Sequence, residues 1–131
     1  MSKKNEMFNK GLEIRKAVVG AEYVEKSMAS ADSFNLPMQE LVTEYCWGAV
    51  WGREDLPRKT RSMLNLAMIS VLNRPHELKL HIAGALRNGV TKDEIREVFL
   101  QVAIYAGVPA AIDSFRNARE VFEGLDAQAK K

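Results

Sequence analysis

Both histidines of this 131-residue chain, His76 and His81, lie within six positions of each other. Histidine is the side chain whose ordinary pKa lies nearest to neutral pH, and it is the most frequent general acid or base in enzymes. Any acid-base mechanism that uses histidine is therefore confined to this segment. Pro75 is typical of a first helical position, so we expect a helix that begins there, with His76 facing solvent in its first turn.

Arg74, Glu77 and His81 fall on one face of that helix, at positions i, i+3 and i+7. A helix N-terminus carries free N–H groups and a partial positive charge, and Arg74 adds a planar cation that matches a carboxylate. This spacing indicates an acid-base histidine beside a bound anion. Simpler readings remain open: His81 as a core residue, Glu77 as a helix-dipole residue, and an Arg74–Glu77 surface ion pair.

A second cluster of candidate residues occupies the run from Glu44 to Arg53. Trp47 and Trp51 are four residues apart and share a helix face, where they form either an apolar pocket wall or anchors of a core or interface. Glu44 lies one turn before Trp47, so we expect it to point into the same space. Arg53 and Arg61 are candidate carboxylate ligands or solvated charges.

The single cysteine, Cys46, is offset from the tryptophan face and has no basic neighbour in sequence. We expect it to be a small buried hydrophobic residue. One cysteine excludes an internal disulfide and a CxxC pair for redox chemistry or zinc.

The elements that position these residues are all predicted to be helices, because apolar residues recur with helical spacing and no segment alternates with period two. We predict an all-α, single-domain, multi-helix bundle over residues 1–131, with a core over about 10–123. Thr91 and Glu94 form a capping box. The stretch from Met63 to Leu72 is apolar almost all round, which predicts burial on every side. The predicted helices cover residues 6–20, 23–28, 35–51, 57–72, 75–89, 91–106 and 110–123, with Asn35 as a cap and a frayed tail after Gly124.

Composition excludes several classes of protein. The net charge is only +2, without the basic stripe of a nucleic-acid-binding protein. The longest apolar stretch is too short to span a bilayer, and no signal peptide is evident. We therefore expect a soluble, reduced, cytoplasmic protein with no nucleic-acid or membrane partner. The apolar richness favours partner subunits.

Several ordered motifs now point to a family. They are Glu44-Tyr-Cys-Trp-Gly-x-x-Trp-Gly-Arg53, Leu56-x-x-Lys-Thr-Arg61, Arg74-Pro-His-Glu-Leu-x-x-His81, Asn88-Gly-Val-Thr-x-x-Glu-Ile95 and Gln101-x-x-x-Tyr-x-Gly-x-Pro-Ala110. Over about residues 10–123 the chain resembles the carboxymuconolactone decarboxylase family. The resemblance implies an alkyl hydroperoxidase D-like bundle, a homo-oligomer (commonly a hexamer), and no metal or organic cofactor. It also implies decarboxylation of a small anionic lactone in the protocatechuate branch of the β-ketoadipate pathway.

The resemblance and the helix geometry together suggest a role for each candidate. They suggest His81 as the proton donor, Glu77 or Glu44 as its orienting or relay group, Arg74 with Arg53 or Arg61 as carboxylate anchors, Trp47 and Trp51 as an apolar wall, and His76 as a donor to the lactone oxygen.

Three alternatives remain. Relatives of the alkyl hydroperoxidase D type carry CxxCxxxH in this helix; aligned on His81, Arg74 and Glu77 replace both cysteines, which disfavours thiol chemistry. A lactone or β-keto acid decarboxylase or isomerase of the same fold fits equally well. A non-enzymatic helical assembly module leaves the Arg74–His81 face unexplained.

Overall fold

A computed structural model describes residues 3–130, with side chains from Glu6 onward, and the regular structure in that range is entirely helical. The all-α prediction is confirmed. The chain divides into two compact units, one up to Arg58 and one from Lys59. The elements are α1 Lys3–Val19, α2 Ala21–Ala29, α3 Leu36–Leu41, a π-helix Val42–Val50, α4 Arg58–Leu72, α5 Pro75–Arg87, α6 Lys92–Tyr105 and α7 Val108–Ala129.

The first unit is built on the packing of α1 against the π-helix. The two backbones approach so closely at Gly11 that a Cβ there would lie 1.9 Å from the carbonyl oxygen of Thr43. Only glycine fits at such a distance. Arg15, one turn further along α1, is buried and donates hydrogen bonds to Gln39 and Thr43. Direct backbone contact and a buried arginine thus fix α1 on the π-helix.

The second unit has a continuous apolar core, with α7 packed against both α5 and α6. The buried members of this core are Leu66, Leu78, Ile82, Ala85, Val90, Ile95, Phe99 and Ala118. Phe99 is fully buried, and its ring meets Phe115 edge-to-face at 5.7 Å. Burying side chains of this size contributes roughly 1.5–3 kcal/mol each, so these contacts hold α5 in place.

The predicted helix ends at the α5–α6 connection are confirmed. Thr91 accepts from the backbone N–H of Glu94, and the Glu94 carboxylate accepts from the N–H of Thr91. Gly89 follows the end of α5 with φ of 90°, a left-handed conformation that glycine adopts without strain. Local signals therefore define both ends of the α5–α6 connection.

Four expectations from the sequence are wrong in detail. Asn35 precedes α3 but makes no side-chain cap, because its Oδ1 accepts from the N–H of Asp32 instead. The 35–51 helix is α only to Leu41 and π beyond it. The tail after Gly124 is not frayed, since α7 continues to Ala129.

The fourth error concerns α4, which is not buried on all sides. One face enters the core through Leu66, whereas the opposite face exposes Leu64, Met68, Val71 and Leu72. Within the second unit, nothing in the described residues covers that second face. Periodicity showed that α4 has no polar face, but it could not show what covers each side.

Candidate active site

His81 lies in the second turn of α5, where the helix enters the core between Leu78 and Ile82. Only 9% of its surface is exposed. Burial lowers the pKa of the imidazole below its ordinary value of 6.5, and the nearby Glu77 carboxylate opposes that shift. His81 is therefore a neutral imidazole at neutral pH, with an acidic side chain within electrostatic reach.

The start of α5 places Arg74 at the helix N-terminus. Asn73 has φ of 57°, a left-handed conformation that asparagine tolerates, and it turns the chain from α4 into α5. Arg74 then occupies the N-cap position without capping through its side chain; its guanidinium donates to the carbonyls of Leu72 and Asn73 at 3.2 and 3.3 Å. No Arg74–Glu77 ion pair occurs within residues 3–130, and His76 is exposed as predicted.

Arg74 also lines a cavity of about 260 Å³ at the N-terminal end of α5. Polar side chains of α4 and α7 also line it, among them Ser70, Asp113, Ser114 and Asn117. His81 is not part of this lining, although it lies two turns along the same helix face. The structure therefore places Arg74 in a small polar cavity and His81 deeper in the core.

Trp47 and Trp51 are both buried in the first unit, with ring centroids 4.9 Å apart and planes tilted by 30°. The backbone N–H of Trp51 donates to the carbonyl of Cys46, five residues earlier, as π-helical geometry requires. Glu44 lines a separate cavity of about 570 Å³ that includes neither tryptophan. The expectation that Glu44 shares one space with Trp47 is therefore not met in that cavity.

The remaining predicted cations have different surroundings. Arg53 is exposed, and its guanidinium lies 3.3 Å from the carboxylate of Asp55. Arg61 is half-buried in α4. The sequence analysis missed Arg15, which is buried beside Thr43. One signal for Arg15 was available in the sequence, since this charged residue lies between Ile14 and Val18 on an apolar helix face. Arginine is almost never buried without partners, so a buried Arg15 implies hydrogen-bond acceptors on a neighbouring helix.

Cys46 is exposed, which corrects the prediction that it is buried. Desolvation of the sulfur nevertheless raises the pKa of the thiol, and the positive charge of Arg15 only partly offsets this. Since the thiolate is the nucleophile, a raised pKa reduces its reactivity.

Two kinds of feature are absent from the described part of the chain. No group of three or more His, Cys, Asp or Glu side chains is arranged to hold a metal ion there. In the same residues, no helix has the length and apolar character needed to span a bilayer.

Comparison with known proteins identifies the class. Residues 37–120 match the model of the carboxymuconolactone decarboxylase family. The chain is 39% identical over 124 residues to a 4-carboxymuconolactone decarboxylase of Acinetobacter baylyi, covering 95% of this chain and 92% of that protein. It is 47% identical over 108 residues to the nitrosuccinic acid decarboxylase npaB of Metarhizium robertsii, covering 82% of this chain and 76% of that protein. An uncharacterized 15.0 kDa protein of Paracoccus denitrificans is 33% identical over 88 residues, 65% of each chain.

The chain belongs to the carboxymuconolactone decarboxylase family. Its characterised curated relatives are decarboxylases, so it is an enzyme of the carboxy-lyase class.

Proposed function

We propose that this enzyme decarboxylates 4-carboxymuconolactone to the β-ketoadipate enol-lactone without a cofactor, with His81 as the proton donor. The observation that carries the proposal is the 39% identity to a 4-carboxymuconolactone decarboxylase over 95% of the chain. With this substrate the enzyme acts in the protocatechuate branch of the β-ketoadipate pathway, in the cytoplasm.

The chemistry needs only what the substrate and a few side chains supply. The bond between the ring and the leaving carboxylate breaks, and its electron pair passes through the ring double bond to the lactone carbonyl. The resulting dienolate takes one proton at carbon, so the dianion and one proton give CO₂ and a monoanion. The protein must hold the spectator carboxylate, stabilise the enolate oxygen and deliver that proton.

His81 has the environment of a group that becomes protonated when the substrate binds. In the free enzyme its pKa lies below 6.5, so the imidazole is neutral. A bound dianion favours the imidazolium and raises that pKa, as opposite charges within about 4–6 Å do. The proton taken up on binding is then the one that His81 delivers to carbon.

The other candidates receive supporting roles. Glu77 orients His81 and favours its charged form, with Glu44 as the alternative for this role. Arg74 anchors the spectator carboxylate from its cavity, with Arg53 or Arg61 as helpers, and His76 donates to the lactone oxygen. Trp47 and Trp51 supply an apolar wall, which favours loss of charge from the scissile carboxylate.

Nitrosuccinate is a second candidate substrate, because the chain is 47% identical to a nitrosuccinic acid decarboxylase. The chemical logic is shared: the electron pair of the broken bond passes to the nitro group, and the nitronate takes a proton at carbon. The two substrates differ in shape, since one is a rigid ring and the other an open chain.

We also propose that the enzyme is a homo-oligomer, specifically a hexamer. The exposed apolar face of α4 supports this, because Leu64, Met68, Val71 and Leu72 are all about half-exposed or more in one chain. Sedimentation velocity measures the assembly. A strictly monomeric particle at micromolar concentration would contradict this part of the proposal.

One assay separates the two substrates. Purified enzyme is mixed with freshly generated 4-carboxymuconolactone or with nitrosuccinate, and ultraviolet absorbance and CO₂ release are followed with and without chelator. We expect a kcat/KM for the lactone at least about a hundredfold higher than for nitrosuccinate. The reverse ratio assigns the nitro acid, and no CO₂ from either substrate refutes both assignments.

A further inference from the structure

The second unit contains a cavity between α6 and α7 whose lining includes none of the side chains assigned to decarboxylation. Its volume is about 300 Å³, and we call it the α6–α7 cavity. Buried core residues, among them Ile95 and Phe99, line it together with the more exposed rings of Phe115 and Phe122. Three aromatic rings thus surround a space that is large enough for one ring with a short side chain.

Two contacts show how α6 and α7 face each other along this cavity. The ring of Phe99 meets that of Phe115 at 5.7 Å, and the ammonium of Lys92 lies over the ring of Phe122, 4.9 Å from its centroid. The second contact is seven residues earlier on α6 and seven residues later on α7. The two helices are therefore antiparallel, and residues midway between these contacts lie opposite one another.

Two arginines occupy that middle stretch, one on each helix. Arg96 on α6 is held by the carboxylates of Asp93 and Glu97, at 3.2 and 3.0 Å from its guanidinium. Those contacts use Nη1 and Nε, so the donors of Nη2 are not engaged in them. Arg119 on α7 supplies a second guanidinium to the same lining. Such a pair matches a carboxylate, because each guanidinium presents a planar fork of N–H donors.

The two carboxylates of the lining, Glu123 and Asp126, follow Phe122 on α7. They belong to the end of the cavity where Lys92 and the N-terminus of α6 supply positive charge. Glu123 also lies one helical turn from Arg119, so its charge competes with any anion bound there. The cavity therefore has a cationic middle between aromatic rings and mixed charge at one end.

We propose that the α6–α7 cavity binds a small aromatic carboxylate. Its ring packs against Phe115 and Phe122, and its carboxylate contacts Arg96 and Arg119 from opposite helices. A ligand held in this way joins α6 to α7 and stabilises the second unit, as any ligand specific for the folded state does. This site does not depend on the decarboxylase assignment.

The first arm of the test uses a charged probe and its neutral isostere. Isothermal titration calorimetry measures the binding of 3-phenylpropionate and of 3-phenylpropionamide to the purified protein. We expect a dissociation constant of about 1 mM or lower for the carboxylate, as suits a ligand of this size, and weaker binding of the amide. Arg119→Gln should weaken the carboxylate at least about tenfold, as loss of a charge-assisted contact does. Arg116→Gln, the matched change one turn earlier on α7 and outside this lining, should leave its affinity within about twofold.

The second arm tests the sign of the charge effect and the role of the ring. Glu123→Gln removes the competing carboxylate, so it should tighten the binding of 3-phenylpropionate at least about twofold. Phe122→Leu keeps an apolar side chain but removes a ring, and it should weaken the binding by about twofold or more. A site for an organic cation would show the opposite sign in Glu123→Gln, which would contradict the proposal.

Four further outcomes overturn it. They are no binding of 3-phenylpropionate up to about 10 mM, equal binding of acid and amide, binding unaffected by Arg119→Gln, and binding lost in Arg74→Gln, which places the probe in the Arg74 cavity. A second copy of the chain that covers the α6–α7 cavity gives the first of these results. Arg119→Gln should leave kcat for decarboxylation unchanged, so this proposal and the proposed function can fail separately.

Discussion

The first turns of α5 and the π-helix hold the two groups of candidate site residues, and different forces maintain them. α5 has ordinary α geometry, begins at Pro75, and is anchored by Leu78 and Ile82 in the core. The π-helix keeps a wider geometry for nine residues, where most π-helices last a single turn. Its packing comes from α1, through the backbone contact at Gly11 and the buried Arg15.

This difference suggests a division of labour. α5 is stable by local rules and can therefore carry an acid-base group at a fixed depth. The π-helix depends on a distant segment, α1, whose packing holds a buried acid and two tryptophans in place. Sites built on π-helical segments are frequently functional, because their geometry persists only when other contacts enforce it.

The largest expected effect is on the catalytic rate and comes from a substitution in α5. His81→Ala should lower kcat by about 10²–10⁴-fold, the usual contribution of a general acid. The measurement is steady-state decarboxylation, with circular dichroism and sedimentation as checks that fold and assembly persist. Lys79→Ala serves as a control on the same helix, since Lys79 faces Glu120 on α7 at 2.5 Å in a surface pair of small energetic weight. An unchanged kcat in His81→Ala would remove His81 from the mechanism.

The comparable test for the π-helix is Gly11→Ala, at the contact between α1 and the π-helix. The new methyl group would lie 1.9 Å from the Thr43 carbonyl oxygen and 2.8 Å from the Gly48 nitrogen, both backbone atoms that cannot rotate away. We expect the free energy of unfolding to fall by about 1–3 kcal/mol, as for other overpacked contacts. Urea denaturation measures it. A neutral result would mean that α1 does not hold the π-helix in place.

These two regions also show how far sequence can predict structure. Pro75, Gly89 and the Thr91–Glu94 box act within a few residues of themselves, so the α5–α6 segment was predicted closely. The change from α to π after Leu41 has no local signal, because it follows from contact with α1, some thirty residues earlier in the chain. The exposure of Cys46 was also missed.

The candidate site shows the same limit. The sequence identified the Arg74–His81 face, since helical spacing alone places these residues on one side. It did not reveal that Arg74 contacts backbone carbonyls and lines a cavity without His81, or that Arg15 is buried. Which side chains share a cavity depends on packing between helices, and that information lies outside the periodicity of any one of them.

A smaller expected effect is the pH dependence of kcat/KM and of kcat, which tests the role of His81 as a proton donor. In the free enzyme the pKa of His81 lies below 6.5, so kcat/KM should fall as pH rises through that lowered value. In the complex the bound dianion raises this pKa, so kcat should persist to a pH about one unit higher or more. Profiles of kcat/KM and of kcat against pH, measured from about pH 4.5 to 9, distinguish the two decreases. A kcat/KM that rises with pH to a plateau would instead make neutral His81 a base.

The smallest expected effect provides the reference for Gly11→Ala. Gly124 also lies inside a helix, in the last turns of α7, but a Cβ there would meet nothing within 4 Å. Alanine should therefore stabilise the protein by about 0.5–1 kcal/mol, because it lowers the backbone entropy of the unfolded chain and favours helix. The same substitution thus has opposite signs in the two units, and urea denaturation of both variants measures the contrast. If Gly124→Ala adds nothing, the tail is frayed in solution and α7 ends near that glycine, as its sequence had suggested.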